Sequence, residues 1–376
     1  MSRRPAPGEY PRATPRAPAK THPRATLDSI ARELGVSRTT VSNAYNRPDQ
    51  LSPELRQLIL GTARELGYPG PNPTARSLRT ARSGAVGVIL TERLAYAFED
   101  HASVDFLAGL AAANDVSLTL IPVGPGEGPS PNRDSVANAI VDGFVVYSVP
   151  AGDPHLKAAR ERGLPVVVCD QPATLSGVPY VGIDDAAAIE PAARSLVSAG
   201  HRRIGILTKR LFSRPRDGAV TRAELETSDM HVQRNRVRGA LEVFRAAGIA
   251  EVPIVNRHFN DVASAADGAR ELIGAHPDLT AVLCTTDSMA LGVLEAFGDR
   301  VPRDLSVTGF DGIAAARYLG LTTVEQPNTR KGREVGRVLR QLIDAPAAPP
   351  APRTILPTQF VPGRTVSAPR ERPRGL

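Results

Sequence analysis

GVSRTTVSNAYN, residues 35–46, is the stretch on which the fold of this chain turns. It holds few apolar residues, many hydroxyls and amides, and one cation. A helix that only packs a core is not built this way. On a helix, positions 38–46 put Val41, Ala44 and Tyr45 on one stripe that can pack against neighbouring helices. Arg38, Thr39, Ser42, Asn43 and Asn46 fall on the opposite side. Such side chains can hydrogen-bond base edges in a major groove: Arg pairs with guanine, Asn with adenine, and Thr can touch the thymine methyl. Thr40 and Ser42 suit phosphate contacts or local backbone bonds better. For the isolated stretch an ordinary solvated face is an equally good reading, so its surroundings decide.

Upstream, TLDSIARELG places Leu27, Ile30, Ala31 and Leu34 at helical spacing, with Thr26 as N-cap and Gly35 as the stop. Ser37 can cap a second helix over 38–45. LSPELRQLILGTARELGYPG reads as a third helix: Ser52 caps it, Pro53 sits in its first turn, Glu54 complements the dipole and Gly67 ends it. Three short helices, the first two joined by a tight Gly-containing turn, describe a helix-turn-helix unit. The charge agrees with a DNA-facing role. Residues 1–83 carry fourteen Lys+Arg against six Asp+Glu, while the remainder carries 32 against 33. A basic N-terminal unit on a nearly neutral body is the pattern of a chain that meets a polyanion at one end.

The first 24 residues, rich in Pro, Arg and Ala, cannot bury a core and are expected to be disordered. They contain no apolar run of the signal-peptide kind, and no stretch approaches ~18 consecutive apolar residues, so no membrane partner and a cytoplasmic location are expected. Residues 71–82, PNPTARSLRTAR, form a polar connector with room for one or two helical turns, marginal alone in water. From Gly84 the pattern alternates between β-branched runs (AVGVIL, SLTLIPV, GFVVYSV, LPVVVCD) and helical segments, which implies parallel sheet covered on both faces. After VPYVGIDD the alternation restarts and runs to LSVTGFD. Two comparable α/β halves predict a two-lobed body, with ligands expected in the cleft beyond the C-terminal strand ends. Residues 209–230 are polar and poorly periodic and predict a flexible loop. Residues 345–352 read as a linker before a final strand, TILPTQFV. Cys169 and Cys284 sit in apolar runs and read as buried strand thiols.

The run from TLDSIARELG to GAVGVIL resembles the head of the LacI-type (lactose repressor–galactose repressor) transcription regulators. The resemblance continues through VGIDD, LVSAGHRRIGIL, CTTDSMALGVLEAFG, VPRDLSVTGFD and LTTVEQP, covering roughly residues 25–366. It implies that Arg38, Thr39 and Asn43 read bases from the major groove, supported by Thr26, Ser37, Thr40, Ser42 and Asn46. Many members carry Arg where Asn43 stands, so the operator of a relative does not carry over. It also implies that the connector is a hinge helix in which Leu78 wedges into the minor groove beside Ala75 and Arg76. The body resembles a periplasmic sugar-binding fold, and Asp170, Arg236, Asp287, Asp311 and Gln326 fall at its effector positions. The bland alternatives are that Asp287 caps the helix starting at Ser288 and that Asp170 ends a strand in a local turn. A second acid commonly follows Asp311 in the family, whereas Gly312 stands here. Phe310 and Phe98 could offer an apolar platform, as Trp is absent.

The organisation expected is therefore a tail over 1–24, a helix-turn-helix domain over 25–70, and a hinge over 71–83. A first lobe takes 84–183 and 327–344, and a second lobe takes 184–324 and 354–366. The function implied is a homodimeric DNA-binding regulator, a repressor controlled by a sugar-like effector, acting on a near-palindromic double-stranded operator without cofactor or metal. An activator of the same fold and a solute-binding protein without DNA function are the alternatives. No Walker GxxxxGK, HExxH, GxSxG or CxxC motif is present, and the seven histidines show no ligand spacing, so an enzyme is not expected.

Overall fold

The computed structural model describes residues 25–71, Ser77, 82–90, Phe98, 100–113, 116–122, 133–345 and 353–370. It divides into two compact units, Met1–Arg82 and Ser83–Leu376. Ala75, Arg76, Leu78 and the 1–24 tail lie outside the described residues.

The first unit is three helices: α1 (Leu27–Leu34), α2 (Arg38–Asn46) and α3 (Pro53–Glu65). Each begins at a side-chain cap. Thr26 and Ser29 form a reciprocal capping box, Ser37 accepts from Thr40 N at 3.0 Å, and Ser52 accepts from Leu55 N at 3.3 Å. Gly35 ends α1 at φ 65°, the left-handed region in which glycine carries no Cβ penalty, and this turns the chain directly into α2. Ile30, Val41 and Ile59 are fully buried at the centre, with Ala31, Ala44 and Ala63 around them. Burial of each large aliphatic contributes roughly 1.5–3 kcal/mol, so this small core holds the second helix in place chiefly through Val41.

In the second unit, β1 (Ala85–Leu90), β2 (Ser117–Pro122), β3 (Phe144–Tyr147), β4 (Val166–Cys169) and β5 (Tyr180–Gly182) alternate with α4 (His101–Ala112), α5 (Arg133–Asn138) and α6 (Pro154–Glu161). The chain then passes to α7 (Asp185–Ser198) and β6 (Ile204–Lys209), followed by β7 (Gly218–Ala219), α8 (Arg222–Glu226), α9 (His231–Ala246), β8 (Ile254–Arg257), α10 (Val262–Ala275), β9 (Ala281–Cys284), α11 (Asp287–Phe297), β10 (Ser306–Thr308), α12 (Ala314–Leu319) and β11 (Thr323–Glu325). It ends with α13 (Asn328–Asp344), β12 (Thr354–Ile355) and β13 (Gln359–Val361). Two sheets result. One is six-stranded and parallel, in the order β12-β5-β4-β3-β1-β2. The other is five-stranded, in the order β10-β9-β6-β8-β7, with only β7 antiparallel. Both are covered by helices, as near-continuous apolar strands require. Within the first lobe α13 packs on α4. The contact is so close that a Cβ on Gly109 or Gly332 would run into the backbone of the facing helix.

Three expectations are corrected here. Residues 209–230 are not a structureless loop. Gly218–Ala219 adds a strand to the second sheet through Val220 N bonding Ile254 O at 2.9 Å, and Thr221 and Glu224 form a capping box that starts α8. The final segment is two strands: Thr354–Ile355 pairs with β5 in the first sheet, and Gln359–Val361 pairs antiparallel with β11. The 354–366 segment, assigned to the second lobe from sequence, therefore starts in the first. A short strand of two residues leaves too little periodicity to announce which sheet it joins. Cys169 and Cys284 are free and buried in β4 and β9. No helix of the described residues is long and apolar enough to cross a membrane, and none of their His, Cys, Asp and Glu groups is placed to hold a metal ion.

Candidate functional site

The outward side of α2 is short and polar. Arg38 and Thr39, its first two residues, are exposed, while Ser42, Asn43 and Asn46 are half-buried. Arg38 Nε lies 3.6 Å from Asp28 of α1. This exposed pair is worth little energetically and leaves the guanidinium free to turn outward. The other hydroxyls and amides divide by task. Ser37 caps the helix and its Oγ lies 2.8 Å from Thr40 Oγ1, and Thr26 caps α1. Asn46 Nδ2 donates back to Ser42 O at 3.0 Å and to Ser42 Oγ at 3.2 Å, so its amide is held inside the helix. Asn43 Nδ2 donates to Gln50 Oε1 at 3.2 Å, and Gln50 was not singled out in the sequence. Arg38 and Thr39 are thus the exposed side chains at the start of this helix, with Asn43 half-buried a turn further on.

The second candidate site lies between the lobes of the larger unit. A cavity of about 50 Å³ is lined by Asp100, Tyr147 and Gln171 from the first lobe and by Lys209, Met230 and Gln233 from the second. That volume admits a few waters, so the cleft is nearly closed. Contacts across it hold it so. Lys209 Nζ is 3.4 Å from Asp100 Oδ2, and Gln171 Oε1 accepts from Val232 N at 3.2 Å. Asp100 also caps α4, accepting from Ala102 N at 3.1 Å and Ser103 Oγ at 3.2 Å. Burial alone would raise its carboxyl, but Lys209 and these hydrogen bonds hold it below the usual carboxylate range. Gln233 Oε1 is buried at the cavity without a hydrogen-bond partner.

Beside the cavity runs a buried polar chain linking the two lobes. Lys331, in the first turn of α13, donates to Asp170 Oδ1 at 3.0 Å, to Asp170 Oδ2 at 2.8 Å and to Gln326 Oε1 at 2.9 Å. Gln326 Nε2 donates to Asp311 Oδ1 at 2.6 Å, and Arg236 Nη1 stands 3.5 Å from the same oxygen. Arg236 also donates through Nε to Asp185 Oδ1 and through Nη1 to Thr285 O, both at 2.9 Å. Burial opposes the charge on Arg236, yet Asp185 and Asp311 beside it raise its pKa. Burial pushes Asp185 up to about 6 against the pull of Arg236, and pushes Asp311 upward likewise. Asp170 and Asp311 sit at φ 66° and 121°, backbone conformations costing of order 1–3 kcal/mol each outside glycine. The surrounding bonds hold Asp311 there: its N donates to Val324 O at 2.8 Å and its O accepts from Gln326 N at 3.2 Å.

Four of the five effector candidates read from the sequence therefore fall in one chain of contacts: Asp170, Arg236, Asp311 and Gln326. Asp287 does not. It is fully buried as the first residue of α11, where Thr286 is the cap; its carboxylate accepts from Ile313 N at 2.9 Å and Thr323 Oγ1 at 2.6 Å. It clamps the loop after Asp311, and like the other four candidates it is not among the residues that line the cavity. The two phenylalanines are placed differently. The Phe310 ring is buried with Arg236 Cζ 3.8 Å from its centroid, and Phe98 is exposed. Gly312 has a local reason: at φ +71°, a Cβ would stand 2.7 Å from Glu325 Cα, which leaves no room for a second acid.

Lys331 and Asp185 were missed. Both signals were present. Val335, Val338 and Leu339 follow Lys331 at helical spacing, which puts Lys331 on the apolar stripe of its helix. Ala188, Ile189 and Ala192 do the same for Asp185. An ionisable residue on a buried stripe must be paired.

Comparison with known proteins gives the family. The family model for bacterial regulatory proteins, lacI family, matches residues 26–72, and a periplasmic binding protein-like domain matches residues 193–366. The HTH-type transcriptional regulator IpsA of Corynebacterium glutamicum is 55% identical over 350 residues, covering 91% of this chain and 97% of that protein. The chain is a LacI-family transcriptional regulator. Among solved structures, a LacI-family regulator from Corynebacterium glutamicum superposes with a TM-score of 0.70 at 50% identity, covering 91% of this chain and 98% of that one. A CelR–cellobiose complex superposes with a TM-score of 0.65 at 28% identity, covering 91% and 100%. As a LacI-family regulator the chain binds DNA through its helical head, carries an effector-binding domain of two α/β lobes, and is not an enzyme.

Proposed function

We propose that the chain is a homodimeric repressor whose hold on a near-palindromic operator is switched by a sugar-like metabolite bound between its lobes. The observation that carries the ligand class is Arg236, buried between Asp185 and Asp311 beside the interlobe cavity. A guanidinium flanked by carboxylates can exchange its internal bonds for the vicinal hydroxyls of a sugar, with Gln326 and Asp170 supplying further donors and acceptors. The bound cellobiose of the CelR structure supports the same class.

On the DNA side, Arg38, Thr39 and Asn43 read bases from the major groove, and Thr26, Ser37, Thr40, Ser42 and Asn46 hold the helix and its backbone contacts. The reading domain spans 25–70 and the hinge 71–83, with Leu78 as the minor-groove wedge and Ala75 and Arg76 beside it. The first lobe is built from 84–183 and 327–344, and the second mainly from 184–324. Ligand in the cleft alters how paired first lobes sit together and so biases the hinge. Because the coupling is a free energy, operator and ligand change each other's affinity by the same factor.

Binding-site selection with the purified full-length protein, repeated with a panel of sugars and nucleosides, tests this. The expected result is a site with two-fold symmetry, half-sites about one helical turn apart, and at least one sugar that changes its affinity. Absence of any preference over random competitor overturns the DNA part. Specific binding indifferent to every sugar overturns the ligand part.

A further inference from the structure

Resting on the reading of Asn43 as a base-contacting residue, we infer that Gln50 is the positioning residue that fixes the Asn43 amide and thereby sets base preference at the position Asn43 reads. One side-chain hydrogen bond joins the two residues, and a backbone bond closes the helix end between them. Arg47 N donates to Asn43 O at 2.8 Å, which closes the end of α2, and Asn43 Nδ2 donates to Gln50 Oε1 at 3.2 Å across the turn that follows. Gln50 has a firm base for this. It is the last residue of a single 3-10 turn, Pro48–Gln50, whose first position is a proline; its N bonds Arg47 O at 3.1 Å, and Leu51 N bonds Pro48 O at 3.3 Å. Leu51 then packs on the core of the helical head. The reach of Gln50 toward α2 is therefore set by a closed segment anchored at both ends.

The chemistry of the amide gives this contact its consequence. A side-chain amide carries two N–H donors and one oxygen. Bidentate pairing with adenine uses the oxygen and one N–H, toward N6 and N7. The second N–H is left over, and it is the one Gln50 can take. Gln50 thus selects one of the two faces an amide can present. Without that partner the Asn43 amide turns freely about its last torsion, offering a donor or an acceptor at the same place, and discrimination between bases falls. Asn46, the other amide of the helix, shows the contrast: it is held by Ser42 within α2 itself.

Selection of operator variants by purified full-length protein, scored position by position, tests the inference. Gln50→Ala is expected to flatten preference at the Asn43-dependent position, from about tenfold or more to about threefold or less, with the other positions unchanged. Asn43→Ala flattens the same position, and adding Gln50→Ala to it has no further effect there. Gln50→Glu keeps an acceptor for Asn43 Nδ2 while adding a negative charge, so it retains the preference and lowers affinity for every sequence alike. Both Gln50 variants fold, because the side chain is exposed; equal unfolding temperatures check this. If Gln50→Ala weakens all sequences equally, Gln50 is a phosphate contact and the inference fails. If it changes a different position, Gln50 reads a base itself and the inference fails. If Asn43→Ala changes no position, the reading of Asn43 fails, which is seen separately from Gln50.

Discussion

Lys331, fully buried, holds both carboxylate oxygens of Asp170, at 3.0 and 2.8 Å, and passes its third hydrogen bond to Gln326. This is the bond by which α13 of the first lobe is tied to the end of β4. Through Gln326 it is tied on to Asp311 and Arg236 in the second lobe. Removing one partner of a buried pair strands the other charge, at a cost of about 3–5 kcal/mol. Lys331→Met should therefore lower unfolding stability by that amount in urea titration. Adding Asp170→Asn, which removes the stranded charge with a residue that tolerates φ 66°, should return most of it. A single variant as stable as the parent would mean that the pair is hydrated in solution.

A second relation acts on the cleft itself. Asp100 and Lys209 face each other across the cavity at 3.4 Å, largely sheltered from water. Lys209→Met leaves the Asp100 carboxylate without its cation, at roughly 1–3 kcal/mol. The expected result is a looser cleft: hydrogen exchange should rise in the peptides covering Asp100–Ser103 and the start of α9, while the helical head is unchanged. Uniform exchange across the protein would show a loss of global stability instead.

The helix-turn-helix head and the two α/β lobes were legible because their signals are local. Thr26, Ser37 and Ser52 stand where caps must stand, and the β-branched runs are bounded by turns. The features that the sequence leaves unread share one cause. Asp287 looks like an acid at a strand end, and only the fold shows that Ile313 N and Thr323 Oγ1 occupy it. Residues 209–230 look irregular because a two-residue strand and a five-residue helix are too short to carry a period. Lys331 was hidden among the arginines of NTRKGREVGRVLRQLID, where charge was read before position on the helix.

The reading helix makes a sharper forecast. Arg38 is exposed at the first position of α2, beside an exposed ion-pair partner, Asp28. Arg38→Ala should relax base choice at one position in each half-site, at ~1–3 kcal/mol, in competition binding against single-base operator variants. Equal weakening on all sequences would make it a phosphate contact.

Close helix packing supplies a test of the first lobe. Gly332 of α13 has no space for a Cβ against the backbone of α4 near Phe106 and Leu110. Gly332→Ala must push the two helices apart, and overpacking of this kind costs about 1–3 kcal/mol. Alanine is otherwise the better helix former, so a stabilised variant in thermal unfolding would contradict the packing described.

His258 makes the second unit sensitive to acid. It is buried just after β8 with neither ring nitrogen hydrogen-bonded, and its backbone N–H donates to Asp217 Oδ1 at 2.7 Å. Burial, with Arg210 nearby, pushes the imidazole from 6.5 down to about 4. The unfolded chain therefore binds a proton more readily than the folded one between those values. The stability that the neutral ring contributes is fully present above about pH 6.5 and is lost as pH falls through about 4. His258→Phe keeps an apolar ring and removes the titration. The expected outcome is that the variant loses less unfolding temperature than the parent between pH 7 and pH 4, in buffers of matched ionic strength. Parallel curves for the two proteins would show that His258 reaches water and titrates normally.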